Sequence, residues 1–132
     1  MGSEWRELQD GRQRLRPDGI IEMRHSRTTQ TLESIRQQME HAAELLGGAG
    51  RAPMMVVMGE VRGQTREVRE FLFKDPCVPR QLTRVALVQR SPVSRVLTTF
   101  FIRLVTPQVP VRVFTNEEPA VAWLLEAGSS DR

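Results

Sequence analysis

The chain has 132 residues, of which 27% are charged and 39% hydrophobic, and its formal net charge is +3. This length suits one domain, and no apolar run approaches the ~20 residues that a membrane span needs. The only cysteine is Cys77, which excludes an intrachain disulfide and a multi-cysteine metal site. The first residues lack the apolar core of a secretory signal, so we expect a cytoplasmic protein.

Basic residues are almost all arginine, and Arg12, Arg14 and Arg16 form the densest basic stretch. Acidic residues sit among the arginines along most of the chain, whereas a nucleic-acid binder should gather its basic residues into a stripe. We therefore expect no nucleic-acid partner. The basic stretch is better explained as a solvated edge strand, whose charges deter sheet-to-sheet aggregation.

The segment "RQRLRPDGIIEMRH" predicts a hairpin with strands over Arg12–Arg16 and Ile20–His25. Residues 17–19 are Pro-Asp-Gly, which is turn chemistry because Pro presets φ, Asp bonds its own backbone and Gly supplies positive φ. Upstream, Trp5 and Leu8 could anchor either a short first turn or an irregular arm.

Helices and strands alternate over the rest of the chain. The first helix lies in "TTQTLESIRQQMEHAAELLGG", where Thr28 or Thr29 can cap its start and Gly47 and Gly48 its end. A buried strand "MMVVMG", an amphipathic helix "TREVREFLFK", a loop "DPCVPR" and a strand "RVALVQ" follow. The chain then runs through a third helix "SPVSRVLTTFFIRLV", a strand "PVRVFT" and a last helix "EEPAVAWLLEAG". This order predicts an α/β fold in which a mostly parallel sheet carries an antiparallel hairpin at one side.

The segment lengths also suggest the domain boundaries. We expect an N-terminal arm and first edge strand over residues 1–17, one domain over 18–127 and a disordered tail over 128–132. In the last helix, four apolar side chains should dock against the sheet: Val121, Trp123, Leu124 and Leu125.

Four segments between about Asp18 and Leu125 carry a resemblance: "DGIIEMR", "PMMVVMGEVRGQTREVREF", "VALVQRSPVSRVLTTFFIRL" and "PVRVFTNEEPAVAWL". Together with the long first helix, they resemble the bacterial STAS-like proteins related to SpoIIAA. This subgroup joins STAS features with CRAL-TRIO lipid-binding features. The resemblance implies a SpoIIAA-like small mixed sheet, an N-terminal hairpin followed by β-α repeats, with about four helices packed on it.

The resemblance also implies a regulatory site. In anti-sigma antagonists of this fold, a Ser or Thr at the start of the second helix is phosphorylated and controls partner binding, and the matching position here is near Thr65. The residues themselves allow a simpler role, because Thr65 is the natural cap of its helix. A phosphate at Thr65 would lie on the positive end of the helix, beside Arg62 and Arg66.

No pattern in the chain predicts catalysis. Cys77 lacks a predictable base and is better explained as a loop cysteine, and Ser91 is better explained as a helix cap than as a nucleophile. His25 and His41 would need converging carboxylates to hold a metal. No glycine-rich phosphate loop is present. We therefore expect no enzyme, no cofactor and no metal site.

The third helix carries more apolar residues than one sheet face needs, because Phe101, Ile102 and Val105 widen a stripe that is already complete. The surplus has three explanations: core beneath the loop at residues 107–110, a surface for a partner or a second copy, or the wall of an apolar pocket.

The pattern favours a non-enzymatic regulatory module that binds a protein partner or self-associates as a homodimer. The residues predicted to make the contact are Ser94, Phe101, Ile102 and Arg103. The candidate phospho-switch is Thr65 with Arg62 and Arg66. The alternative is a carrier for an apolar ligand or lipid, of CRAL-TRIO-like character.

Overall fold

A computed structural model describes residues 2–26, 29–48, 50–58, 63–64, 66–91 and 108–130. The described part of the chain forms eight strands and four helices. The strands are β1 (Arg6–Leu8), β2 (Gly11–Leu15), β3 (Ile21–His25), β4 (Thr29–Gln30), β5 (Ala52–Val57), β6 (Gly63–Gln64), β7 (Leu82–Val88) and β8 (Val111–Phe114). The helices are α1 (Leu32–Leu45), α2 (Arg66–Lys74), α3 (Cys77–Gln81) and α4 (Glu117–Ser130).

The main sheet contains six of these strands, in the order β1-β2-β3-β5-β7-β8. β2 is antiparallel to both β1 and β3, whereas β3, β5, β7 and β8 run parallel to one another. A separate short ladder pairs β4 with β6 in parallel. The predicted α/β architecture, an antiparallel hairpin followed by parallel strands alternating with helices, is confirmed.

The hairpin forms at the predicted turn. The backbone N–H of Gly19 donates to the carbonyl of Arg16 (3.0 Å), and Asp18 Oδ1 accepts from the N–H of Ile20 (3.2 Å). Gly19 has φ 91°, a left-handed conformation that only glycine adopts freely. The turn therefore sets the β2–β3 register, in which Leu15 lies opposite Ile21.

The interpretation of the Arg12–Arg16 segment as an edge strand is wrong. β1 pairs outside β2, so β2 is the second strand and β1 is the edge. Trp5 and Leu8 were expected in a turn or an irregular arm, but Leu8 ends β1 and Trp5 directly precedes it. The two-residue connection to β2 makes this pairing local and therefore easy to form.

The first helix begins later than predicted. Its cap is Thr31 rather than Thr28 or Thr29: Thr31 Oγ1 accepts from the N–H of Ser34 (3.2 Å), and Ser34 Oγ accepts from the N–H of Thr31 (2.9 Å). This reciprocal pair is a capping box. Thr29 is instead in β4. The predicted stop holds, because the N–H of Gly48 bonds back to the carbonyl of Ala43 (2.9 Å).

The sheet is covered on both faces, which divides the core into two clusters. On one side, residues of α1 and α3 pack on the inner strands, including Met39, Ala42 and Val78 against Met23 and Met54. On the other side, α4 covers the second cluster, which consists of Ile20, Met55, Ala86, Val88, Ala120 and Leu124. The long apolar strand β5 contributes to both clusters because its side chains alternate between faces.

Two further predictions differ from the structure. The "DPCVPR" segment, predicted as a loop, contains helix α3, and Asp75 Oδ1 accepts from the N–H of Cys77 at its start (2.9 Å). Helix α4 continues to Ser130, so residues 128–130, predicted as a disordered tail, are helical. Leu125, predicted to dock, is 43% exposed. Leu125 lies about 100° around the helix from the buried Leu124, which places it outside the part of α4 that faces the sheet.

The predicted third helix, apart from its first residue Ser91, lies outside the described residues. No helix among the residues that the structure describes is both long enough and apolar enough to span a membrane.

Candidate functional site

The carboxyl ends of the parallel strands lie together at one edge of the sheet. β3 ends at His25, β5 at Val57 and β7 at Val88. The ladder of β4 and β6 follows β3 and β5 along the chain at this edge, and α2 begins two residues after β6 ends. In open α/β sheets, ligands bind outside the carboxyl ends of the strands. This edge is therefore the candidate functional site.

Buried polar side chains lie between α1 and the β1–β2 hairpin beside this edge. We call this set the polar seam: Asp10, Gln13, Gln38 and His41. Gln38 Nε2 donates to Asp10 Oδ2 (3.0 Å), and His41 Nδ1 donates to Gln13 Oε1 (2.6 Å). The seam therefore holds β1 and β2 against α1 through directional hydrogen bonds. Most contacts between a helix and a sheet are apolar instead.

Two atoms of the polar seam are buried without a hydrogen-bond partner among the described residues: Asp10 Oδ1 and Gln13 Nε2. The two side chains are 1% and 0% exposed. An unpaired buried polar atom costs roughly 1–3 kcal/mol and is uncommon in folded proteins. The seam therefore lowers stability locally and offers one free acceptor and one free donor inside the protein.

His25 lies next to the polar seam at the end of β3. The side-chain amide nitrogen of Gln30 is 3.3 Å from its Nε2 and 3.5 Å from its Nδ1. Burial lowers the pKa of His25, and the negative charge of Asp10 opposes that effect without cancelling it. His25 is therefore neutral at pH 7.

His41 is neutral for similar reasons. Burial lowers its pKa, the positive charge of Arg6 lowers it further, and Glu44 acts in the opposite direction. In the neutral ring, the proton resides on Nδ1, because that nitrogen faces the carbonyl oxygen of Gln13. In the described part of the chain, no three His, Cys, Asp or Glu side chains cluster closely enough to hold a metal ion.

Cys77 occupies the first turn of α3 rather than a loop, and it is half-buried. Burial and the carboxylate of Asp75 raise the pKa of the Cys77 thiol to about 12. The thiol therefore stays protonated at neutral pH, which makes it a poor nucleophile.

The opposite face of β3 carries a network of charges. Glu22 is 1% exposed, and its Oε1 accepts from Arg14 Nε (3.0 Å) while its Oε2 accepts from Arg24 Nε (2.7 Å). Arg24 also donates to Glu117 at the start of α4 (2.6 Å), and Arg90 lies 3.6 Å from the same carboxylate. The network therefore links β2, β3 and the start of α4.

Most of the predicted site residues fall on positions that the structure does not describe. Ser94, Phe101, Ile102 and Arg103, predicted to contact a partner, lie outside the described residues, as do Thr65 and Arg62 of the candidate switch. Arg66 is described and is the first residue of α2. The predicted contact surface and switch therefore stay predictions.

Sequence patterns alone missed the polar seam. Ser34, Gln38 and His41 form a polar stripe at helical spacing beside the apolar stripe of α1, and all three are buried. That spacing was a usable signal for a shared face. It could not show which side of the helix the hairpin would cover, because polar stripes normally face solvent.

The arrangement has the architecture of a known fold class. An uncharacterized protein of the DUF3478 family from Shewanella loihica PV-4, with a SpoIIAA-like fold, matches with a TM-score of 0.51 at 15% sequence identity. The match covers 93% of each chain. This chain therefore has a SpoIIAA-like fold.

Residues 14–127 match the model of a family described as a domain of unknown function, DUF7793, and the chain belongs to that family. A protein of unknown function from Arthrobacter sp. FB24 is 33% identical, over 85% of this chain and 90% of that one, with a TM-score of 0.31. No curated protein matches the chain.

Proposed function

We propose that the protein is a non-enzymatic regulatory module of STAS type, which works by docking a protein partner or a second copy of itself. The SpoIIAA-like fold supports this proposal. The observation that carries it is the position of α2, whose first residue is Arg66 and which starts near the carboxyl edge of the sheet. Residue 65 therefore directly precedes the first helical residue, where the regulatory Ser or Thr is expected in this fold.

The start of α2 is firmly anchored. Val68, in the first turn, is fully buried, and the helix contacts α1. A phosphate on Thr65 would add negative charge directly before this anchored helix, and the neighbouring arginines in the sequence, Arg62 and Arg66, could pair with it. The positive end of the α2 dipole favours that charge. Glu67, exposed in the same turn, already contributes negative charge of the favourable sign.

The docking surface in this proposal is the third predicted helix, with contacts from Ser94, Phe101, Ile102 and Arg103. The apolar surplus of its sequence supports the proposal, because two or three large side chains left exposed would favour association. Phosphorylation of Thr65 would then add negative charge to the module and weaken or strengthen docking.

Native mass spectrometry across a concentration series tests the proposal. Phe101→Ser should weaken self-association by about tenfold or more while far-UV circular dichroism stays unchanged, because large aromatic residues dominate interfaces. The matched control is Leu125→Ser, which changes another exposed apolar side chain, on α4, and should leave association unaltered. Equal association of the wild-type and Phe101→Ser proteins would rule out the third helix as the contact surface.

The same spectra test the other parts of the proposal. Thr65→Glu, which mimics the added charge, should shift the association constant, and Thr65→Ala should not. A wild-type protein that carries a stoichiometric lipid mass would instead support the alternative carrier of an apolar ligand. Organic extraction of the purified protein would identify that lipid.

A further inference from the structure

The sheet face on the α4 side is covered unevenly. α4 packs on β5, β7 and β8, and it reaches β3 through the contact of Glu117 with Arg24. Among the described residues, no helix packs on this side of β1 and β2. The part of the face over the hairpin is therefore formed by the side chains of the strands themselves.

Arginines dominate this part of the face among the residues that the structure describes. Arg12 and Arg14 are two residues apart on β2, so both point to this side. Their guanidinium carbons lie 4.4 Å and 4.6 Å from the centre of the Trp5 ring. We call the surface formed by Trp5, Arg12, Arg14 and Arg24 the arginine face. Because Arg12 and Arg14 both contact the Trp5 ring, their guanidinium groups are held close together on the arginine face.

The register of the β2–β3 pair places two like charges opposite each other. Arg12 pairs with Arg24 across the β2–β3 ladder, and Arg14 pairs with Glu22. Directly opposed like charges destabilise a sheet. Arg12 makes no ion pair with any described residue, including the exposed Glu7 that lies opposite it on β1. The repulsion is offset at Arg24 by Glu22 and Glu117, which leaves Arg12 as the member of the pair that is open to a further carboxylate.

The buried carboxylate of Glu22 and the half-buried carboxylate of Glu117 hold the other arginines in place. Glu22 is shared by Arg14 and Arg24, and Glu117 is shared by Arg24 and Arg90. Counting Arg12 and the exposed Glu7 opposite it, four arginines share this face with three carboxylates, which leaves an excess of one positive charge. Side chains that are already ordered lose little conformational freedom when they bind a ligand. The arginine face is therefore a preorganised set of guanidinium donors.

We propose that the arginine face docks an acidic segment of a partner protein, whose Asp or Glu carboxylates pair with Arg12 and with the outward N–H groups of Arg14 and Arg24. Charge complementarity selects the partner, because guanidinium forks match carboxylates in geometry. Trp and Arg are also the residue types that dominate protein interfaces.

One observation favours a protein segment over a nucleic acid. Trp5 is already in contact with two guanidinium groups, which leaves its ring less available for base stacking.

Fluorescence anisotropy of a labelled poly-glutamate peptide tests the inference. The wild-type protein should bind this peptide with an affinity that falls as salt rises. Arg12→Glu should weaken binding by about tenfold or more, since charge-assisted hydrogen bonds are replaced by repulsion. Arg12→Gln, a milder change at the same exposed position, should weaken it by a smaller factor.

The control is Arg36→Glu, an identical charge reversal at an exposed position of α1 on the other side of the sheet. It should change the affinity by no more than about twofold. Equal loss in Arg12→Glu and Arg36→Glu, or no binding by the wild type at low salt, would overturn the inference. A single-stranded oligonucleotide of equal charge that binds more tightly than the peptide would overturn it in favour of nucleic acid.

The arginine face shares no residue with the third helix of the proposed function, so the two proposals can fail independently. Phe101→Ser should leave peptide binding unchanged, and Arg12→Glu should leave self-association through the third helix unchanged.

Discussion

At the level of single residues, β3 shows how strand alternation distributes chemistry. Met23 and His25 point towards α1, whereas Glu22 and Arg24 point towards the α4 side. The alternation itself is evident in the sequence. The near-complete burial of Glu22 is not, because it depends on two arginines from different strand positions closing over the carboxylate.

The buried histidines should make stability depend on pH. Burial lowers the pKa of His25 and of His41 in the folded protein, so the unfolded chain binds more protons than the folded chain just below the unfolded pKa of about 6.5. The stability that depends on keeping these histidines neutral should therefore be complete above about pH 6.5. The free energy of unfolding should decrease as the pH falls below that value.

Urea denaturation at a series of pH values measures this effect. His25→Gln should reduce the loss of stability on acidification, and the double variant with His41→Gln should reduce it further. If the double variant loses as much stability as the wild type over the same pH range, the two histidines do not cause the dependence.

At the level of elements, helix boundaries depend on caps that compete in the sequence. Three threonines precede α1, at positions 28, 29 and 31, and each could accept a backbone hydrogen bond. Ser34 decides between them, because only Thr31 stands three residues before it and can form the reciprocal capping box. The proline-rich segment at α3 was misassigned for a related reason: Asp75 supplies a start that composition alone did not indicate.

Replacing the cap tests this assignment. Thr31→Ala should lower the free energy of unfolding by about 1 kcal/mol, because the N–H of Ser34 loses its acceptor. Thr31→Ser keeps a hydroxyl at the same position and should be neutral or slightly stabilising. Guanidinium denaturation distinguishes the two, and equal midpoints for Thr31→Ala and wild type would show that the cap contributes nothing.

At the level of the whole molecule, the fold depends on covering both faces of one sheet. α1, α2 and α3 contribute to one core cluster or pack against it, and α4 alone, among the described helices, covers the second. Because the second cluster is small, its stability depends on few side chains. Ala120 and Leu124 are fully buried there, while Leu125 is largely outside it.

Adjacent leucines provide a matched comparison. Leu124→Ala should lower the free energy of unfolding by about 2–5 kcal/mol, through lost apolar burial and the cavity left behind. Leu125→Ala, one residue further on, should change it by less than about 0.5 kcal/mol. Thermal or chemical denaturation of both variants checks the prediction. Similar losses in both variants would mean that α4 packs in a different rotation.

The order of strands and helices, the turn at residues 17–19 and the mixed α/β class are all evident in the residues, because they follow from periodicity and from the local chemistry of Pro, Asp and Gly. Three other features depend on how the elements pack: β1 takes the edge of the sheet, Gln38 and His41 are buried between α1 and the strands β1 and β2, and Arg12 and Arg14 share a face with Trp5. Each of the three is decided by which neighbour covers a given surface, whether that neighbour is close in the chain or far from it. A local pattern cannot show this, because it has the same form whether its polar side meets solvent or another strand.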